Sequence, residues 1–267
     1  MPLAIQIGNV IGGISGTSSA SPSPPPVVGF KFSVDTRVRG GSSSDTFVLP
    51  LQAAGTYDFE VDWGDGSTDT ITAWNQAEKT HIYSSGGVYT IECTGALKVF
   101  TFAGTGDRLK LEEIYNWGGS SLDLGGGTFS FSQCSNLTIS ATNSPANTGD
   151  IAGAFYIVGS SAFTGGLAGW DMSNTTSCQF LCYNSSSYNE DISGWDVSNI
   201  TNFLFAFTGT AMSVANYDAL LIAWAPQSVQ SGVTFSTNAQ YTAGGSAAAA
   251  RTTLIGKGWT IVDGGSV

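Results

Sequence analysis

The run Gly169–Trp170–Asp171–Met172–Ser173–Asn174 returns as Gly194–Trp195–Asp196–Val197–Ser198–Asn199, and 195 − 170 gives a period of 25 residues. A fixed period in this range marks a protein built from stacked coils. Similarity extends outward from the motif. Phe163 aligns with Tyr188, Leu167 with Ile192, Cys178 with Phe203, Phe180 with Phe205 and Cys182 with Phe207, so apolar type is kept where identity is lost. That is the behaviour of inward positions filling a shared core. The alternation of Cys178, Phe180 and Cys182 predicts one strand with all three facing inward. A weaker third unit places Phe155 and Ile157 at 25 residues before Phe180 and Cys182.

Trp-Asp-x-Ser-Asn-x-Thr, at Trp170 to Thr176 and Trp195 to Thr201, resembles the repeats of BspA-type leucine-rich surface proteins. Tyr217 to Trp224 and the tail Arg251…Leu254…Gly258–Trp259–Thr260–Ile261 look like the closing segment of such modules, and Phe100 to Trp117 like the opening cap. The resemblance spans roughly residues 97–267 and implies a short leucine-rich β-solenoid-like module.

A second resemblance lies upstream. Val61–Asp62–Trp63–Gly64–Asp65–Gly66–Ser67, then His81–Ile82–Tyr83, then Gly87–Val88–Tyr89–Thr90–Ile91, is similar to the PKD type of immunoglobulin-like β-sandwich. Gly64–Asp65–Gly66 suits a tight turn, and the alternation in Tyr57–Val61 and Val88–Ile91 predicts half-buried strands. The expected fold is therefore mainly β: an Ig-like (PKD) β-sandwich over residues 28–96, then the repeat module over 97–267 with small C-terminal helices. Asn216 precedes the apolar run Tyr217–Trp224 as a start signal, and Ser246 is placed to cap Ala247–Ile255, which Gly256 ends.

Composition narrows the function. Of 267 residues, 11% are charged and the net charge is −11, which offers no clustered Lys and Arg for nucleic acid or anionic membrane. No stretch approaches 18 unbroken apolar residues, so no membrane insertion is expected. No Lys or Arg precedes Lys31, and polar and glycine residues interrupt the early apolar positions, so a secretory signal is not expected. Instead Leu3, Ile5 and Ile7 alternate as in a strand within residues 1–14, and a Ser/Pro-rich linker follows over 15–27. This arrangement predicts a docking arm that adds to the edge of a partner sheet, the alternative being an unstructured tail.

Few residues are placed for chemistry. His81 is the single histidine, which rules out a histidine triad or a multi-histidine metal site, and its position in the His-x-Tyr motif suits a structural hydrogen bond. The four cysteines are Cys93, Cys134, Cys178 and Cys182; Cys178 and Cys182 are expected as buried, unpaired thiols, because residues i and i+4 of a strand lie about 13 Å apart, with zinc a remote alternative for which Cys-x-x-x-Cys lacks a second ligand pair. Asp171 and Asp196 repeat in phase and should stack. Their repulsion could be relieved by a structural Ca2+, with Glu190 and Asp191 adding oxygens, but the commoner solution is that each accepts amides within its own Asp-x-Ser-Asn turn. The same choice applies to Asp62, Asp65 and Asp69. Trp117, Trp170, Trp195, Trp224 and Trp259 sit in register and are expected to pack. Trp74, Tyr115 and Tyr183 fall outside it and are the candidates for surface contact.

With no convincing nucleophile–base or carboxylate pair, no catalytic residue and no cofactor are assigned. The expected function is non-enzymatic: a virion structural protein of a tailed phage, as tail fibre or capsid decoration. Its partners would be other virion proteins through residues 1–14 and a host surface receptor or glycan, with self-association left open. A bacterial cell-surface adhesin carrying the same two modules is the alternative.

Overall fold

The computed structural model describes residues 28–119, 122–123, 130–145, 148–159 and 161–267. The expected arm with Leu3, Ile5 and Ile7, and the whole linker over 15–27, lie outside the described residues. The fold is mainly β. The strands are β1 (Phe30–Asp35), β2 (Thr46–Val48), β3 (Tyr57–Asp62), β4 (Thr68–Ile71), β5 (Thr80–Ile82), β6 (Val88–Lys98), β7 (Leu111–Trp117), β8 (Leu122–Asp123), β9 (Thr138–Ile139), β10 (Phe203–Phe207), β11 (Thr234–Thr237) and β12 (Thr260–Val262). Two helices, α1 (Val214–Trp224) and α2 (Ser246–Gly256), precede β11 and β12.

The N-terminal sheet has the order β4-β3-β6-β1-β7-β9, and β2 and β5 pair as a separate ribbon. β3 alternates strictly, with Tyr57, Phe59 and Val61 buried and Asp58, Glu60 and Asp62 exposed, as a half-buried antiparallel strand should. The β3–β4 turn is the Asp62–Ser67 motif. Gly64 has φ +81° and lies against the carbonyl of Thr90, so neither its backbone angle nor its surroundings admit a side chain. His81 stacks on Trp63 at 4.7 Å and bonds Asp65 at 2.9 Å, which ties the motif's separated parts together.

The sheet does not end where the two modules were expected to meet. β6 runs through residue 96 to Lys98, and β1 pairs on its other side with β7, Phe30 lying opposite Trp117. Trp117 in turn packs on Phe131 and edge-on against Trp170 at 5.1 Å. The apolar interior is consequently one continuous core running from the sheet into the coils.

Beyond β7 the chain stacks coil on coil. Amides of Phe131 and Gln133 bond the carbonyls of Ala154 and Tyr156, and those of Ile151, Gly153, Phe155 and Ile157 bond Ser177, Gln179, Leu181 and Tyr183. Cys178, Phe180, Cys182 and Asn184 then bond Asn202, Leu204, Ala206 and Thr208. The ladder continues as the parallel pairs β10–β11 and β11–β12. Rings fill its interior: Phe131 stacks on Phe155 at 5.5 Å, Phe155 on Phe163 at 5.3 Å, and Tyr188 on Phe207 at 6.0 Å. Trp117, Trp195 and Trp224 are wholly buried, and Trp170 and Trp259 nearly so.

Two helix starts differ from expectation. α1 begins at Val214, with the Ser213 hydroxyl accepting from the Asn216 amide, so Ser213 is the cap and Asn216 already stands in the first turn. Buried Tyr217, Leu220, Leu221 and Trp224 recur at helical spacing and decide the face, whereas the cap is decided by the chain's approach from β10. α2 is preceded by Gly245, and Ser246 is its first residue.

Candidate functional site

The coils at 151–158 and 178–185 are not alternating strands. While Cys178, Phe180, Cys182 and Asn184 donate to the next coil, the amides of Leu181, Tyr183 and Ser185 donate three residues back, to Cys178, Phe180 and Cys182. Each coil is thus a run of tight turns, and every second amide feeds the ladder. Such a path needs left-handed residues. Phe180 has φ +57° and Asn184 φ +55°, Phe205 has φ +57° and Gly209 φ +77°, and in the preceding coil Gly153 has φ +65° and Ile157 φ +54°.

These matched angles correct the register of the third unit. Gly153 corresponds to Phe180, Phe155 to Cys182 and Ile157 to Asn184, an offset of 27 residues rather than 25 (180 − 153 gives 27). Asp150 and Ser177 bridge in parallel at that same spacing. The inward residues are Cys178, Leu181 and Cys182 in one coil, and Phe203, Ala206 and Phe207 in the next. Phe180 and Phe205 therefore face outward, against the expectation that they fill the core; Phe205 is 39% exposed. A left-handed angle swings the side chain away from the side its neighbours occupy, which period-2 alternation cannot anticipate.

An aromatic cluster results on the outer surface. Phe180 stacks on Phe205 at 5.4 Å and Tyr156 on Tyr183 at 5.4 Å, and the two pairs meet edge-on, Phe180 to Tyr183 at 5.6 Å. Ile157 continues the strip, 37% exposed. Holding a bulky side chain in the left-handed region costs about 1–2 kcal/mol per residue. Gly153 shows that the path is available to a residue without that cost, so Phe180 and Phe205 are held outward at the expense of stability.

Tyr183 thus belongs to a cluster, but the other two contact candidates do not join it. Trp74 lies 41% exposed after β4, with Lys79 Nζ 5.7 Å from its ring, and Tyr115 is exposed on β7 with its hydroxyl 3.3 Å from Ser33 Oγ. Tyr156, Phe180 and Phe205 were not singled out from the sequence as surface residues. Their one legible signal is the glycine at 153 in the position that Phe180 and Phe205 occupy.

The acidic residues are engaged in the frame. Asp171 accepts the amide of Ser173 and Asp196 that of Ser198, each at 3.0 Å, closing their own turns. Hydrogen bonding from Ser173 and Ser198 holds both carboxyls below their usual range, while Asp171, a like charge on the neighbouring coil, acts against this at Asp196. Glu190 reaches back to the amides of Gly166 and Leu167 at 2.9 and 2.7 Å, and Asp191 accepts from Ser193. In the sandwich, Asp62 accepts from Gly64, Asp65 from Ser67, and Asp69 from the Trp63 indole. Among the described residues, no group of three or more His, Cys, Asp or Glu is placed to hold a metal ion. All four cysteines are free and buried, and burial raises each thiol's pKa.

A hollow of about 430 Å³ opens beside the coils between Ile139, Thr142, Asn143, Gly166, Gly169 and Glu190. Its carboxylate, Glu190, is the one already bonded to Gly166 and Leu167. Among the described residues, no helix is long and apolar enough to cross a membrane.

Residues 109–241 match the protein family described as "Mycoplasma protein of unknown function, DUF285". This stretch is similar to that family. It takes in β7, the coils, α1 and β11, and leaves out the sandwich strands before β7. Neither the curated proteins nor the solved structures yielded a match.

Proposed function

We propose that the protein is a non-enzymatic structural and attachment protein of a tailed-phage virion, a fibre or capsid decoration that presents its coil surface to a host. The observation that carries this reading is the division of labour in the coils. Their carboxylates close turns or brace neighbouring coils, while two phenylalanines are held outward at an energetic cost. Such a scaffold suits presentation of a surface better than turnover of a substrate. Four buried, unpaired thiols accord with assembly in a reducing cytoplasm, where virions are built. Residues 1–14, with Leu3, Ile5 and Ile7, would hold the chain to other virion proteins by strand addition.

A second setting is the bacterial cell surface, with the same adhesive role; the similarity of residues 109–241 to a mycoplasma family points to a bacterial context. Mass spectrometry and antibody labelling of purified particles separate the two. Recovery of the chain from particles, lost on deleting residues 1–14 while the truncated protein stays folded, is the expected result. Recovery from cell envelopes alone would move the protein to the bacterial surface.

A further inference from the structure

We infer that the outward cluster Tyr156–Phe180–Tyr183–Phe205 is a binding site for a neutral glycan. This deepens the attachment reading above and rests on it. The first ground is the placement of Phe180 and Phe205 in left-handed backbone where Gly153 occupies the matching position, which marks the rings as kept for what they touch. The second is chemical. The three coil segments 151–158, 178–185 and 203–209 contain no Asp, Glu, Lys or Arg. Beside the rings these segments show Ile157, Asn184 and the hydroxyls of Tyr183 and Thr208, and Gln179 pairs with the amide of Asn202, just before the last segment, at 3.3 Å. Among the described residues the Tyr183 hydroxyl has no hydrogen-bond partner. Rings that receive the C–H face of a sugar, ringed by amides and hydroxyls for its own hydroxyls, form a complementary set for an uncharged saccharide.

Size and charge decide against other occupants. Phe205 is 39% exposed and Tyr156, Phe180 and Tyr183 are half-buried, so four side chains of about 200 Å² each leave open at most on the order of 300 Å². A stable protein interface needs about 800 Å² per partner. A net charge of −11 repels anionic polysaccharides and nucleic acids, which leaves a short neutral chain as the ligand that fits.

The test is native electrophoresis of the full chain through gels containing dextran, galactomannan or hydroxyethylcellulose, with polygalacturonate as the anionic control. Retardation by at least one neutral polymer and none by polygalacturonate is expected. The Phe180→Gly/Phe205→Gly variant should lose at least tenfold in affinity while melting within a few degrees of wild type, because glycine adopts these angles freely. Trp74→Ala, which removes an exposed ring elsewhere, should bind as wild type. Free migration of the wild type in all three neutral gels, or unchanged retardation of the folded double variant, would overturn the site. So would conversion of a dimer to a monomer by the double variant, which would make the face a self-association surface. A chain found on particles that fails this test leaves the attachment reading standing; a chain that binds glycan but is absent from particles does the reverse.

Discussion

The indole N–H of Trp195 donates to the carbonyl of Leu167 at 2.9 Å, a bond 28 residues long in sequence that joins one coil to its neighbour. Trp170, its partner in the repeat, buries the same ring, but among the described residues its indole nitrogen has no acceptor. The repeated tryptophans therefore share a packing role and differ in bonding. Trp195→Ala should lower stability by about 3–5 kcal/mol, the usual cost of truncating a large buried ring. Trp195→Phe should cost about 0.5–1.5 kcal/mol beyond the change in packing for the lost hydrogen bond to the Leu167 carbonyl, which keeps the amide of Trp170, a contribution absent in Trp170→Phe. Equal losses for the two Phe variants in urea unfolding would contradict the difference in bonding.

Lys110 is wholly buried, with its ammonium 2.7 Å from the carbonyls of Ser43 and Thr46, 2.9 Å from Ser42 Oγ and 3.7 Å from Asp107. Asp107 in turn accepts the amides of Ser42 and Val48. This knot pins the loop between β1 and β2 to the segment before β7. Lys110→Met leaves a buried carboxylate and several carbonyls without their cation, and should cost about 3–5 kcal/mol. A loss below about 1 kcal/mol in chemical denaturation would mean that the loop repacks without it.

Acid should loosen the sandwich turn first. Partial burial of Asp65 works against its ionisation, but hydrogen bonds from Ser67 and His81 outweigh it and hold the carboxyl at about 2. Because the folded value lies below the unfolded one near 4, its contribution to stability is complete above pH ~4 and is lost as the pH falls towards 2. Melting temperature should drop through that window, and Asp65→Asn should flatten part of the drop. An unchanged acid profile in the variant would assign the effect to other carboxylates.

The thiols should be silent in the native state. Burial raises the pKa of all four cysteines, with Cys178 and Cys182 far above the ordinary thiol value, and each side chain is enclosed. A thiol reagent at pH 8 should label none in native protein and all four in denaturant, since only exposed thiolate reacts. Rapid labelling of one cysteine without denaturant would reveal a coil that opens locally.

Much of the frame was legible because it rests on local chemistry. The Asp-x-Ser-Asn turns need only a carboxylate two residues before an amide, and the β3 alternation follows from spacing. The period of 25 was visible because inward positions must keep apolar type. The cap at Ser213 was missed because the helix begins at Val214, a turn before the apolar run at Tyr217, and the Ser213 hydroxyl accepts the amide of Asn216, the start signal in the sequence.

The sequence by itself determined that the chain stacks, the period of 25 in its two best-matched units, and that Trp117, Trp170, Trp195, Trp224 and Trp259 lie inside. Only the tertiary structure decided the handedness of single residues and where the sheet ends. An aromatic side chain carries no local signal for positive φ, so the inter-coil ladder, which requires alternate amides to point along the stack, imposes it on Phe180 and Phe205. Likewise β1 carries the same apolar pattern whether one neighbour or two flank it. Pairing with β7 as well as β6 is settled by the shared core around Trp117, which joins the sandwich to the coils.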